Sequence, residues 1–487
     1  MDTDKSLSIC LCDNLAELNN RFKDCPDVIQ KQVILKDMKK GCFVFIKNFI
    51  SIDLLQRDFI RPLLSVDYAL LSNKNIVNYL PALNASVCYD IDTTVTSILL
   101  GEIIFLIDGV DFAITCDLTN TEKRSIKEPD GEKNVRSPHD GFIESIDTNI
   151  MMLREKIKNN NLKFKIMTLG NITNQRVAIA YIEAISNPNL LNTFYTKIKG
   201  INVDGLLSVG QVEQLISDYQ YSPFPEYLAT ERPDKVVAAL LEGRFIVLLE
   251  GTPYSLIAPV SIFDFFQAPD DYSSNWIAGT TMRLIRIVGI VIALLLPSLY
   301  ISVTTFHYYL VPLNILVQLA QSRVKVAFPP IVEAFLMALT IEMLREASIR
   351  LPTYIGTTIG VVGGIIIGQA SVNAGVVSNL FIIIVAVTAI ASYVVPNYEF
   401  GLTIILLRFI LLVMSSFFGI IGVIVGIVYI IIHLLSLESL GQPYLMPIMP
   451  LKLGDLKDAF VRLPMKFMKK RPSIAQPVNK ERGSKNE

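Results

Sequence analysis

The sequence predicts an α/β N-terminal soluble region of two subdomains followed by an all-α polytopic transmembrane domain of about 4–6 spans. Three observations predict it. Residues 1–275 mix charged and apolar side chains as globular proteins do, while long apolar runs dominate residues 284–440. Two stretches of the first half read alike. In the second half several runs reach or approach the roughly 20 apolar residues that a membrane span needs. The overall 51% hydrophobic content therefore describes neither half. The expected organisation is a variable segment 1–35, α/β subdomains 36–160 and 161–275, a transmembrane domain 276–440 and a basic cytoplasmic tail 441–487.

The first forty residues are interrupted by Asp2, Asp4, Lys5, Asp13, Glu17, Arg21 and Lys23, so no signal-peptide core is expected there. All six cysteines (Cys10, Cys12, Cys25, Cys42, Cys88 and Cys116) precede residue 117, and their spacing fits neither a zinc ribbon nor a finger. They read as reduced thiols, which places this half in a reducing, cytoplasmic compartment.

The two similar stretches run from Leu100-Gly101 through Asp108-Gly109, and from Glu242-Gly243 through Glu250-Gly251. Each is an aliphatic run, an acidic-Gly turn and a second apolar run, which is a hairpin pattern. The glycines match at one constant offset, implying two subdomains of related plan. Between them, Phe142 to Asn159 has helical spacing, and Leu162–Leu169 and Val177–Ile185 read as strands. Helices are expected from Pro188, over Val209–Tyr219 and over Pro233–Leu241, with a subdomain boundary near Asn159-Asn160-Asn161.

No enzyme, cofactor or metal is expected. The chain has no Walker A loop, dinucleotide fingerprint, G-x-S-x-G elbow or H-E-x-x-H pair. His139 stands in the turn sequence Ser-Pro-His-Asp-Gly and reads as a loop histidine. Glu231 and Asp234 flank a helix start at Pro233, where carboxylates favour the helix dipole.

In the second half Leu284–Phe306 forms one span, preceded by Arg283 and Arg286, with Pro297 expected to kink it. Val376–Val395 forms another. Ile355–Ala370 is short and Gly-rich, and Gly401–Leu437 is too long for one span and divides near Phe418-Gly419. Ile331–Arg350 is apolar at first and then charged. The stretch Lys452–Arg471 is rich in Lys and Arg, which next to a membrane marks the cytoplasmic side and contact with anionic lipid rather than nucleic acid. With both ends on that side the crossings must be even; six is favoured and four is the fallback.

Small residues recur one turn apart at Gly356/Gly360, Gly364/Gly368 and Gly422/Gly426, a spacing that lets helix backbones approach within the chain or between copies. Charge inside apolar helices costs several kcal/mol unless paired or hydrated. Glu342, Arg345 and Glu346 share one helix face, and Arg408 has no acid near it in sequence. Either Arg408 pairs with Glu342 or Glu333 to lock helices together, or these groups line a hydrated path. Gln369 and Asn373 flank a turn and either line that path or satisfy the turn backbone. His433 reads as interfacial.

The blocks Glu122-Lys-Arg-Ser125-Ile-Lys-Glu-Pro129 and Gly141-Phe-Ile-Glu144-Ser-Ile-Asp-Thr148-Asn149 resemble those of the GerA family of spore germination proteins. So do Ser222-Pro-Phe-Pro225, Thr230-Glu-Arg-Pro-Asp234, Thr305-Phe-His307, Leu344-Arg-Glu-Ala347, Ile349-Arg-Leu-Pro352 and Ile367-Gly-Gln-Ala370. The resemblance covers roughly residues 37–440. It departs at Arg323-Val-Lys-Val-Ala327 and at Ala338-Leu339, so the outer loop is expected to meet its partners differently. It implies an A subunit of a nutrient germinant receptor at the spore inner membrane. The partners implied are a transporter-like B subunit and a lipoprotein C subunit, with self-association into a homo-oligomer that conducts ions. The alternatives are a non-conducting scaffold subunit and a family sibling accompanying the dipicolinate channel.

Overall fold

The computed structural model describes residues 6–36, 38–50, 54–66, 71, 73, 76, 85–118, 129, 131–132, 134, 136–350, 364, 366 and 368–483. Its first unit comprises Met1–Asp218, Tyr227–Pro259 and Lys469–Glu487; the second comprises Tyr219–Glu226 and Val260–Met468.

In the first unit α1 (Leu11–Arg21) precedes β1 (Val28–Ile34) and β2 (Lys40–Ile46). β3 (Ala85–Cys88), α2 (Ile91–Leu100), β4 (Ile103–Ile107) and β5 (Ala113–Cys116) follow. The succession then returns as α3 (Ile146–Lys156), β6 (Leu162–Leu169) and β7 (Gln175–Ile182). Two inserted helices, α4 (Pro188–Lys199) and α5 (Val209–Ile216), come next, and β8 (Leu228–Thr230), α6 (Pro233–Leu241), β9 (Phe245–Leu249) and β10 (Ser255–Ala258) complete it. The strand orders are β1-β2-β4-β5-β3 and β6-β7-β9-β10-β8, antiparallel throughout, so one plan is used twice. Register repeats too: Leu106 faces Ala113 as Leu248 faces Ser255.

Local chemistry accounts for the hairpins. Gly109 (φ +92°) and Gly251 (φ +85°) turn them in the left-handed region, which glycine enters with little strain. Strands β4, β5, β9 and β10 are buried along their whole length, and β4 and β9 are unbroken apolar runs. Asp90 caps α2, accepting from the Thr93 N–H at 2.7 Å, and Phe43 stacks on Phe105 at 4.3 Å over the first sheet.

The boundary expected near residues 159–161 does not separate the packing. α3, which precedes it, lies against β7, β9 and α6 of the second sheet. The Glu122–Glu128 part of the first family block lies outside the described residues. In the second block Ser145 caps α3, and Asn149 holds both the N–H and the C=O of Ile143 (2.9 and 2.6 Å).

Arg154, fully buried on α3, joins the sequence segments of the two sheets. It forms a bidentate pair with Asp27 (2.9 and 3.0 Å) and donates to the carbonyls of Asn159 and Leu162, each at 3.1 Å. Nearby, Asp147 pairs with Arg176 (2.8 Å) and Lys47 (2.8 Å), and the Arg176 hydrogen bond holds its carboxyl down to about 2. All six cysteines are free, and burial pushes Cys42 up to about 11 and Cys116 up to about 12, so these thiols stay protonated and inert.

The tail expected to lie on lipid is divided between the units. In the first unit the Val478 N–H reaches the Ile185 carbonyl (2.8 Å), Arg471 donates to the Leu241 carbonyl (2.8 Å), Arg482 pairs with Glu242 (2.8 Å), and Ala475 is wholly buried. In the second, buried Arg462 donates to the carbonyls of Asp271 (2.5 Å) and Ser274 (2.8 Å). The tail's apolar and guanidinium groups find protein partners, and these account for its placement.

The second unit is helical: α7 (Trp276–Thr305), α8 (Leu313–Arg323), α9 (Pro330–Arg350), α10 (Asn379–Tyr393) and α11 (Tyr398–Ser436). α7 runs through Pro297 as one continuous helix. α8 was not anticipated from sequence. The Ile355–Gly363 part of the expected Gly-rich span lies outside the described residues. α7 and α11 are long and apolar enough to cross a membrane, yet only 33% and 28% of their most apolar stretches are buried. Their faces carry exposed Ile285, Val288, Phe417, Phe418, Ile421 and Ile432. Among the described residues nothing in this chain covers those faces, so they call for an apolar surrounding.

Candidate functional site

The polar residues singled out in the second half fall into two clusters. One joins α9, α10 and the first arm of α11; the other joins α7, α8, α9 and the start of α10.

α11 folds back on itself at Gly419, whose φ of +59° and ψ of −140° leave the helical region. The two arms of α11 then pack together. A β-carbon at Gly422 would overlap the Met414 carbonyl oxygen, and one at Gly426 would overlap the Leu411 side chain. Backbone-close approach of this kind is what small residues one turn apart permit. Gly364 and Gly368, by contrast, have no atom within 4 Å of where a side chain would begin, and Gly356 and Gly360 lie outside the described residues.

The first cluster centres on Glu342 of α9. Arg408, on the first arm of α11 and 4% exposed, pairs with it at 2.6 Å, and Arg345 pairs with it at 3.3 Å from one turn along. Arg345 also donates to the Ser392 hydroxyl (3.1 Å) and lies 5.0 Å from the Tyr393 ring centre, both on α10. Two guanidiniums thus share one carboxylate across three helices. Glu346, predicted on the same face, instead pairs with the exposed Arg350 at 2.5 Å.

The second cluster is built on Glu333, fully buried near the start of α9. Its carboxylate accepts from the Ser378 N–H (2.7 Å) and pairs with Arg323 of α8 (3.1 Å). The Tyr300 hydroxyl lies 3.2 Å from that of Ser378, and its ring packs on Phe381 at 4.8 Å. Arg323 thus has a structural role, holding α8 to the start of α9. Gly375, at φ +68°, lets the Ala327 N–H reach its carbonyl at 3.0 Å, which fixes the loop between α8 and α9 against the start of α10.

Gln369 and Asn373 are exposed and enter neither cluster's hydrogen bonds among the described residues. His433 accepts from or donates to the Ser222 hydroxyl at 2.9 Å, next to Phe224, so Ser222-Pro-Phe-Pro225 belongs to the helical unit, not the second sheet. Phe224, Phe265, Phe266, Phe400 and Tyr444 form an aromatic cluster there. Glu342–Arg408 was among the pairings anticipated. Arg323, Tyr300, Ser378 and Ser392 were missed, since nothing in sequence marks a Ser or Tyr as facing a distant carboxylate. Among the described residues, no cluster of three or more His, Cys, Asp or Glu side chains has metal-binding geometry.

The arrangement is a set of cross-helix locks: each carboxylate is held by groups from elements far apart in sequence. Pairing of this sort offsets the cost of charge in an apolar bundle and fixes which helix faces meet.

A family model described as Bacillus/Clostridium GerA spore germination protein matches residues 16–474. Spore germination protein B1 of Bacillus subtilis (strain 168) is 40% identical over 441 residues, 90% of this chain and 91% of that protein. Spore germination protein KA of the same organism is 36% identical over 486 residues, 99% of this chain and 89% of that protein. The crystal structure of the N-terminal domain of the A subunit of the Bacillus megaterium spore germinant receptor GerK3 superposes with a TM-score of 0.40 at 27% identity, covering 53% of this chain and 97% of that one.

Proposed function

Since the chain belongs to the GerA family of spore germination proteins and therefore has a role in spore germination, we propose that it is the A subunit of a nutrient germinant receptor. It sits in the spore inner membrane and associates with further copies of itself to form a nutrient-gated ion channel. Its partners are a transporter-like B subunit and a lipoprotein C subunit. The observation that carries this reading is the helical unit itself. Apolar helices with largely exposed faces enclose paired charges that water-soluble bundles have no need to build.

The C-terminal segment supports an even number of crossings. Residues 469–483 pack into the same unit as the α/β sheets, which is what both ends on one side of the membrane would require. Six spans remain the preferred count, with the N-terminal unit and the tail on the cytoplasmic side. A reporter fused after Glu487 is expected there; an outward location refutes the topology.

The decisive test of conduction is the current carried by the purified oligomer in planar bilayers, with and without the B and C subunits. Absence of current in every combination, with assembly intact, rejects the channel. One observation favours a second reading, a non-conducting scaffold. Arg408 pairs with Glu342 inside a single chain, an arrangement that suits a helix lock. On that reading Arg408→Leu disturbs assembly, and the purified oligomer carries no current with or without the substitution.

A further inference from the structure

Beside the Glu342–Arg408 pair lies a small cavity of about 20 Å³, lined among others by Pro297 of α7, Ala334 and Ala338 of α9, Thr388 of α10 and Arg408 of α11. Arg408 is 97% buried, since only 3% of it is exposed, and its Nη2 is committed to Glu342. Among the described residues its Nε–H has no hydrogen-bond partner. A buried guanidinium N–H left in an apolar surrounding costs on the order of 1–3 kcal/mol. The Thr388 hydroxyl donates to the Ile384 carbonyl (2.7 Å), which leaves its oxygen lone pairs available. The cavity has room for about one molecule the size of water. Charge bears on the occupant as well, because two guanidiniums, Arg345 and Arg408, share the single carboxylate of Glu342.

We propose that this cavity is a binding site for one small hydrogen-bond acceptor, a water molecule or a chloride ion, held by the Arg408 Nε–H. The occupant completes the coordination of Arg408 and makes α7, α9, α10 and α11 one unit around it. The site is internal to one chain. It therefore stands or falls independently of whether the oligomer conducts, and a silent bilayer leaves it untouched.

The test is a high-resolution structure of the full chain in detergent, prepared once in sodium chloride and once in sodium bromide. An anomalous bromine peak within hydrogen-bonding distance of Arg408 Nε identifies the chloride form. In that case exchanging chloride for gluconate at constant ionic strength lowers Tm by a few degrees. Ordered oxygen density in both preparations, without an anomalous peak and with Tm indifferent to the anion, identifies the water form. Arg408→Lys keeps the positive charge and removes Nε, so the density is expected to vanish from the cavity. An empty cavity in both wild-type preparations overturns the proposal, as does density that persists unchanged in Arg408→Lys.

Discussion

Arg154 in the α/β unit and Arg408 in the helical unit are both buried, and each answers to a carboxylate, yet they are satisfied differently. Arg154 takes both oxygens of Asp27 and two backbone carbonyls, Asn159 and Leu162. Arg408 takes one oxygen of Glu342, and its Nε is left over. The difference lies in what the surrounding backbone can offer. Where loops and strand ends meet, carbonyls are free to accept. Inside a helix bundle nearly every carbonyl is already engaged four residues along the chain, so a buried charge must find side chains or a small bound acceptor. A charge in the helical unit is therefore less fully paired and more able to change partners.

Breaking the better-paired arginine should cost the most. Asp27→Ala leaves Arg154 as an uncompensated buried charge, and the first unit is expected to lose about 3–5 kcal/mol, read as a fall in the denaturation midpoint of the full chain. A loss below about 1 kcal/mol would mean that the two carbonyls suffice alone. Glu342→Leu is expected to cost less, about 2–3 kcal/mol, since its carboxylate is 19% exposed and its arginines retain other contacts. Adding Arg408→Leu to it should recover at least half of that loss, because two apolar groups replace an orphaned charge. Additive losses would show that the pair is not a lock.

Gly422→Ala comes third. The added methyl must displace the Met414 carbonyl, and overpacking of this kind costs about 1–3 kcal/mol. Gly364→Ala should cost little, as open space surrounds that position; parity between the two would remove the steric argument. The smallest effect belongs to Asp147 on the surface of the first unit. Its folded carboxyl, at about 2, lies below the ordinary value near 3.9. Its contribution is therefore complete above about pH 4–5 and is lost as pH falls toward 2. Asp147→Asn should flatten acid unfolding across that window by less than about 1 kcal/mol, because the pairs are partly exposed. An acid profile identical to wild type would show that Arg176 and Lys47 contribute nothing.

Much of the architecture was legible because it rests on local rules. β6 (Leu162–Leu169) and α6 (Pro233–Leu241) lie where alternation and Pro at a helix start put them, and the matched acidic-Gly turns revealed the doubled plan. The break at Gly419 was legible because an apolar run too long for one span must turn at a residue that tolerates positive φ. The sites were legible only as candidates. Glu342 and Arg408 stand out as charges in apolar surroundings, whereas Asp27 and Arg154 look like any charges in a mixed sequence.

What the sequence determined by itself is therefore everything governed by periodicity, turn chemistry and the cost of isolated charge: two related α/β halves, then apolar helices carrying ions in need of partners. Only the tertiary structure decided which partners those are. It took α3 to the second sheet, returned residues 469–483 to the first unit, paired Arg408 with Glu342, and gave Glu333 to Arg323 and Ser378. Such choices depend on which distant groups arrive within hydrogen-bonding distance, and neither composition nor spacing along the chain encodes a distance through space.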